Sequence, residues 1–262
     1  MKKIFTYRIT AISPVIISAR ESDAYYKGID FDDEPSDKEI RPNIIYPFCH
    51  YGEECEYKPE EFLYYIPGSS IKGALLCEKK ENARNDLMVD DIQNITFKQI
   101  ELLELIRASH IKSLFDEIKK DEKQPKFESH SDKIGIYAFN TGNSAIGTLK
   151  CSTDIDDYIS KMDKNVRRRL ELFVEQLKNI KGMTNKFNID FLEKIESIIG
   201  AVNKLKTQKD KKLMFLGGYK GLICSLASTP KDMNELFSKS AIFYEPVTKL
   251  PYGIVEVELM KA

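Results

Sequence analysis

Tyr65-Ile66-Pro67-Gly68-Ser69-Ser70-Ile71-Lys72-Gly73-Ala74-Leu75-Leu76 is the stretch whose reading decides the fold. Phe62 to Ile66 is apolar and extended, and Pro67-Gly68 breaks it. Ser69 or Ser70 is placed to cap a following helix, because a side-chain hydroxyl accepts a bond from an orphan N–H one turn in. That helix is expected to run to about Asn82, with Ile71, Leu75 and Leu76 turned inward. A strand, a turn and a helix start bring free N–H groups to the positive end of the macrodipole. Such a site suits a phosphate. Gly73 is expected to let a second backbone approach closely, and Lys72 adds a mobile positive charge. An ordinary capped helix with a solvated lysine is the alternative. The stretch is not a Walker A loop, which needs G-x-x-x-x-G-K-[ST].

A second glycine-bearing stretch lies far downstream, Leu216-Gly217-Gly218-Tyr219-Lys220-Gly221-Leu222. Gly217, Gly218 and Gly221 allow backbone N–H groups to form an anion-binding concavity. Lys211, Lys212 and Lys220 supply charge, and Tyr219 is suited to stack on a base. A flexible turn between helix and core is the alternative.

Charge is uneven along the chain. The 262 residues carry a net charge of −1. Residues 21–61 hold thirteen acidic side chains against four basic ones, and residues 204–220 hold six lysines against one aspartate. A neutral total can therefore conceal a basic groove beside an acidic flank, or both can be solvated faces. At 42% hydrophobic the chain can bury a sizeable core. No apolar run approaches the ~20 residues of a membrane span. Met1 to Arg8 alternates and is charged, which reads as a first strand and not as a signal peptide. A soluble, cytoplasmic protein is the expectation. Cys49, Cys55, Cys77, Cys151 and Cys224 form no C-x-x-C pair. Cys49, His50 and Cys55 could offer three ligands, but the spacing is not a usual one and no fourth ligand is evident, so no metal is expected. No cofactor is expected either.

In order, residues 3–12 alternate as a strand does. Residues 19–61 are polar, acidic and proline-broken, a long insertion expected to be functional or mobile, or a disordered acidic flap. Phe97 to Ala108 is taken as a strand, and 116–133 as a loop. Ile134 to Phe139 and Ser144 to Cys151 flank Asn140-Thr141-Gly142-Asn143, which signals a hairpin. Asp154 can cap a first helix with Ile159, Met162, Val166, Leu170, Phe173, Leu177 and Ile180 on one stripe, and Gly182 stops it. Asn188 starts a second, with Leu192, Ile195, Ile199, Val202 and Leu205 on one face. This helical insertion spans 154–206. Lys161, Lys164, Arg167 and Arg168 are expected on the outer side of the first helix. A solvated face is one reading of Arg167-Arg168-Arg169, and a phosphate contact is the other. An alternating strand from Tyr252 to Leu259 ends the series.

Eight consecutive residues, Ile66 to Gly73, resemble the IPGSS-[LI]-KG-A signature of the RAMP superfamily, the RNA-binding subunits of CRISPR effector complexes. Leu216 to Leu222 resembles the C-terminal glycine-rich loop of the same superfamily. Within it, the fifth-subunit (end-cap) family of type III-A Csm complexes is the closest type. Its early loop has the outline of Pro14, Val15 and Ile17 here, without the family's histidine and glycines. The resemblance implies an α+β fold, with a ferredoxin-like (RRM-like) core and an antiparallel sheet, in one domain over 1–262.

The resemblance also implies a non-catalytic role in antiviral defence. The subunit would bind the 3′ part of the guide crRNA and cap the backbone filament, with a part in guide maturation. Its partners would be crRNA, the backbone RAMP subunit and other Csm subunits, and target RNA through guide pairing. The RNA-contacting residues would be Ser69, Ser70, Lys72, Gly73, Lys211, Lys212, Gly217, Gly218, Tyr219, Lys220 and Gly221. Two alternatives stay open. One is the backbone subunit that cleaves target RNA through an early-loop aspartate, with Asp23, Asp30, Asp32 and Asp33 nearby. The other is a RAMP endoribonuclease that processes guide precursor with a histidine, for which His50, His110 and His130 are the candidates. A protein-interaction scaffold without an RNA site is a further class.

Overall fold

The alternation of residues 3–12 becomes β1, Lys3–Ala11, in a computed structural model. Residues 2–17, 24–32, 42–51, 57–76, 86–115, 124–131, 133–184, 188–225, 236–237 and 240–260 are described. After β1 come β2 (Tyr25–Tyr26), β3 (Ile44–Tyr46), β4 (His50–Tyr51) and β5 (Leu63–Ile66), then helix α1 (Gly68–Leu75). Next are β6 (Leu87–Val89), β7 (Ile92–Ile95), β8 (Ile100–Leu103), β9 (Ile106–Ser109) and the short α2 (Lys112–Phe115). The chain continues through β10 (Lys126–Ser129), β11 (Ile134–Phe139) and β12 (Ser144–Cys151) to the long helices α3 (Ile155–Met183) and α4 (Ile189–Thr207). Strands β13 (Leu213–Phe215) and β14 (Ile254–Leu259) complete the order.

The fold is α+β, and its main sheet is antiparallel with strand order β13-β14-β1-β12-β6. β1 lies between β12 and β14, from Thr10 opposite Ser144 and Tyr7 opposite Leu259. Period-two burial follows: Tyr7, Ile9 and Ala11 face inward, as do Leu149, Val255 and Val257. That face packs on Ile71 and Leu75 of α1 and on Ile155, Ile159 and Met162 of α3. A second core joins the rest of α3 to α4, β13 and Ile242, through Leu170, Phe173, Leu177 and Ile195.

Several expectations are corrected. The hairpin is not one: β12 pairs with β1 and β6, whereas β11 pairs with β3 and β8 in another sheet. Residues 140–143 do turn the chain, but as a corner between two sheets, held by Gly142 N–H on Ala11 O at 2.8 Å. Within the expected loop 116–133, Lys126–Ser129 is a strand paired with β9. Phe97 to Ala108 is extended for most of its length, with a 3₁₀ turn at Phe97–Gln99 and a break between β8 and β9. In the 19–61 region, Tyr25, Phe31 and Tyr57 meet ring to ring, and β3 joins β11 in a parallel pair.

The helical stretch was readable because its period runs over many turns. Asp154 caps α3 through Asp156 N–H at 3.0 Å, and every residue of the expected stripe is buried. α3 runs one residue past Gly182, and the Thr184 hydroxyl donates to Ile180 O at its end. On α4 the buried stripe is Phe191, Ile195, Ile198, Val202 and Leu205, so Leu192 and Ile199 are flanking positions. Arg167 turns inward, not outward. Its Nε donates to both oxygens of Asp163 at 3.0 and 3.1 Å. Its Nη atoms donate to the carbonyls of Lys206, Gln208 and Lys211, which satisfies the end of α4. Asp163 also accepts from Leu213 N–H at 3.0 Å, so one buried ion pair ties α3, α4 and β13 together.

Candidate nucleic-acid interface

Helix α1 begins at Gly68, with Pro67 in the cap position and no side-chain cap. The expected serine cap is therefore corrected. Gly68 N–H donates to Asp91 Oδ1 at 2.7 Å, and Asp91 Oδ2 accepts from the Tyr51 hydroxyl at 2.8 Å. A carboxylate from after β6 thus holds the helix start that a phosphate would have needed. The close backbone approach also sits at Gly68, where an added Cβ would lie 2.3 Å from Val89 O. Gly73 meets open space instead. The helix is seen to Leu75, and residues 77–82, over which it was expected to continue, lie outside the described residues.

The glycine-rich loop is fixed to the core. Gly217 has φ +80°, and an added Cβ would fall 2.3 Å from Ile16 O. Gly218 N–H donates to that same carbonyl at 2.8 Å, so it is committed within the protein. Gly221, at φ +78°, packs against Ala241 O. Tyr219 holds φ +52°, a left-handed conformation uncommon outside glycine. Its ring is 37% exposed and stands edge-on to Phe243, with centroids 6.0 Å apart.

The two stretches meet across a cavity of about 550 Å³. Ser70, Gly73 and Ala74 of α1 form one wall, and Met162, Asn165, Val166 and Arg169 of α3 another. Phe215, Gly217, Gly218, Tyr219 and Lys220 close it. Arg169 is only 9% exposed, and its Nη1 donates to Cys224 O at 3.2 Å. Lys220 Nζ lies 6.0 Å from the centroid of the Phe215 ring. Burial pushes the Lys220 ammonium down to about 8, with Cys224 opposing the shift and Arg169 adding a weaker push in the same direction as burial. Burial holds the Cys224 thiol up at about 12, so it stays protonated. Among the described residues, the lining carries two cations and no carboxylate. A lining of this composition is chemically suited to an anion.

Of the residues implied by the resemblance, Ser70, Gly73, Gly217, Gly218, Tyr219 and Lys220 line this cavity. Ser69, Lys72, Lys211, Lys212 and Gly221 do not. Lys211 Nζ lies 2.5 Å from Glu256 Oε2, and Lys212 Nζ 4.0 Å from Asp163 Oδ2. Among the polar lining residues, Asn165 and Ser225 were not singled out from the sequence, and Arg169 was named only within the Arg167-Arg168-Arg169 run. The signal for Arg169 was present, because it follows Met162 by seven residues and so falls on the buried stripe.

No protein-family model matches the chain. No curated protein matches it. Among solved structures, it is similar to a chain of the cryo-EM structure of a Csm–crRNA–target RNA ternary complex of a type III-A CRISPR-Cas system. The identity is 11%, the TM-score is 0.48, and the match covers 98% of this chain and 100% of that one.

None of the candidate histidines is among the described lining residues. His50 stacks on Phe62 at 4.2 Å, and burial lowers its pKa, while its hydrogen bond with Tyr51 O opposes this. His130 stands edge-on to Phe243, and its pKa is lowered by burial and then by Arg107. His110 follows β9 at φ +58°. Asp30 accepts from Tyr26 N–H in a local turn, and Asp23 and Asp33 lie outside the described residues. Cys49 is a buried thiol pushed up to about 11, first by burial and then by Asp91, and Cys55 lies outside the described residues. Among the described residues, no three His, Cys, Asp or Glu side chains are grouped as a metal would need. No described helix is long and apolar enough to cross a membrane.

Proposed function

We propose that this chain is a cytoplasmic, non-catalytic RNA-binding subunit of a type III-A CRISPR Csm complex, of the end-cap family. It would hold the 3′ part of the guide RNA and end the backbone filament. One observation carries the reading. Two stretches that each resemble a RAMP motif, about 150 residues apart in sequence, line the same cation-bearing cavity. Lys220 and Arg169 would neutralise backbone charge, and Tyr219 would offer a ring face to a base. Backbone and shape would be recognised, and guide pairing would read sequence.

The test is binding of a short single-stranded RNA by the purified chain as salt is raised. Lys220→Ala should weaken binding and lower the salt slope by about 0.7, the contribution of one phosphate contact. Unchanged affinity and slope would overturn the reading. Specific cleavage of guide precursor, lost in His50→Ala, His110→Ala or His130→Ala, would replace it with a nuclease. Co-purification of a tagged copy with Csm subunits and guide RNA tests the assembly.

A further inference from the structure

Resting on the RNA-binding reading for its consequence, we propose that Lys220 is a modification site, an amine that accepts an acyl group from a small acyl phosphate and so loses the charge with which the cavity meets RNA. Other lysines stand beside carboxylates. Lys194 has Asp190 at 2.8 Å, Lys211 has Glu256 at 2.5 Å, Lys206 has Glu171 at 3.4 Å and Lys212 has Asp163 at 4.0 Å. Such a partner favours the ammonium, which has no lone pair to attack with. Lys220 differs. Among the described residues its Nζ makes no hydrogen bond and no ion pair. Its side chain is half-buried, with the Phe215 ring centroid 6.0 Å from Nζ, and it lines the cavity of about 550 Å³. That volume lies within the range of small-ligand pockets, roughly 300–1,000 Å³.

Desolvation without a counter-charge is how a lysine becomes a nucleophile. The titratable groups acting on Lys220 are the Cys224 thiol, in the turn Ile223–Ser225, and Arg169 of α3. Burial disfavours the ammonium, Cys224 opposes this, and Arg169 adds a weaker push with burial, so the group is held at about 8. Beside it on the lining, Tyr219 is raised by burial and stays a neutral phenol, and α1 contributes Ser70, Gly73 and Ala74. The step is an acyl transfer. The Nζ lone pair attacks the carbonyl carbon of the acyl phosphate, the N–C bond forms, and the C–O bond to phosphate breaks. Phosphate leaves with the electron pair, and the nitrogen passes its extra proton to water. The product amide carries no charge. An anionic donor suits the site, because among the described lining residues no carboxylate repels it.

In the experiment the full chain is treated with acetyl phosphate across a pH series, and acetylation of each lysine is followed by peptide mass spectrometry. At pH 7.5 an amine titrating near 8 is about one-quarter free, against about one in a thousand for an ordinary lysine. Lower basicity also weakens each attack, so Lys220 should react about tenfold faster than Lys194. Its rate should level off as the pH passes 8. If Lys220 reacts no faster than Lys194, the proposal is wrong. The consequence is read from binding of a single-stranded decaribonucleotide before and after treatment. Wild-type affinity should fall to that of Lys220→Ala, and Lys220→Arg should keep its affinity through the same treatment. An equal loss in Lys220→Arg would show that other lysines carry the effect and would overturn the regulatory claim. If the untreated chain binds no RNA, the RNA-binding reading fails, and the relative rate at Lys220 still decides whether the modification site exists.

Discussion

Lys211 and Lys212 lead into β13, Lys220 follows it, and the two ends meet opposite surroundings. At the entry, Lys211 pairs with Glu256 and Lys212 approaches Asp163, which also holds Arg167 and Leu213 N–H. At the exit, Lys220 faces Arg169 in a cavity whose described lining has no carboxylate. One lysine-rich stretch therefore does two jobs. Its first part neutralises internal carboxylates and holds the fold together. Its last residue lines a cavity where, among the described lining residues, no carboxylate stands beside it. The lesson is that a run of like charges says little until its counter-charges are located.

The comparison can be broken most forcefully at the entry. Asp163→Ala removes the partner of a largely buried arginine and should cost about 3–5 kcal/mol, the range for stranding one member of a buried pair. Urea unfolding would read this, and a loss below about 1 kcal/mol would show that Asp163 does not hold the entry together. Next in size is Gly217→Ala, which meets both a positive φ and the Ile16 carbonyl. It should cost about 1–3 kcal/mol, seen as a lower melting temperature, and it tests whether the exit loop is as firmly seated as it looks.

The third comparison exchanges charge at both ends. Lys220→Ala should lower the salt slope of RNA binding, whereas Lys211→Ala should leave it unaltered and affect stability alone. Equal effects on RNA binding would show that the two ends are not functionally distinct. The smallest effect is a pH trend. Lys220 is held at about 8, below its ordinary 10.5, so between those values the unfolded chain binds the extra proton. This group's contribution to stability therefore rises with pH in that window and is lost as pH falls through 8. Lys220→Met should be more stable than the wild type at pH 7, with the advantage shrinking by pH 10. A constant difference in urea midpoint across that range would mean that Lys220 is solvated. RNA affinity should decline above pH 8 in the wild type alone.

What the sequence made legible was local or periodic. The α3 stripe from Ile159 to Ile180 repeats often enough that one phase of the helix satisfies it. Over α4 the stripe was placed one position off on part of its length, because Leu192 and Ile199 are as apolar as Phe191 and Ile198 beside them. The hairpin at residues 140–143 misled for a different reason. A turn signal fixes the bend of the chain but not which strands pair beyond it, and β11 and β12 choose distant partners. The start of α1 was missed because its partner is Asp91, which no cap rule within one turn could reveal. The two motifs were legible from resemblance, but their meeting across one cavity was not. That meeting needed α3 between them, with Arg169 on a stripe otherwise read as apolar.

The placement of β1 bears on how the protein is made. β1 leaves the ribosome well before its neighbours, which are β12 and β14, with Tyr7 opposite Leu259. During synthesis it waits for β12, and it waits longer still for β14. Until each arrives, one edge of β1 offers unpaired N–H and C=O groups to any extended chain nearby. Such late, distant pairing slows folding and lengthens exposure to aggregation. Slow translation of the residues after β12 would prolong the half-made sheet. Holding the nascent chain by a chaperone until Leu259 emerges would shorten its risk.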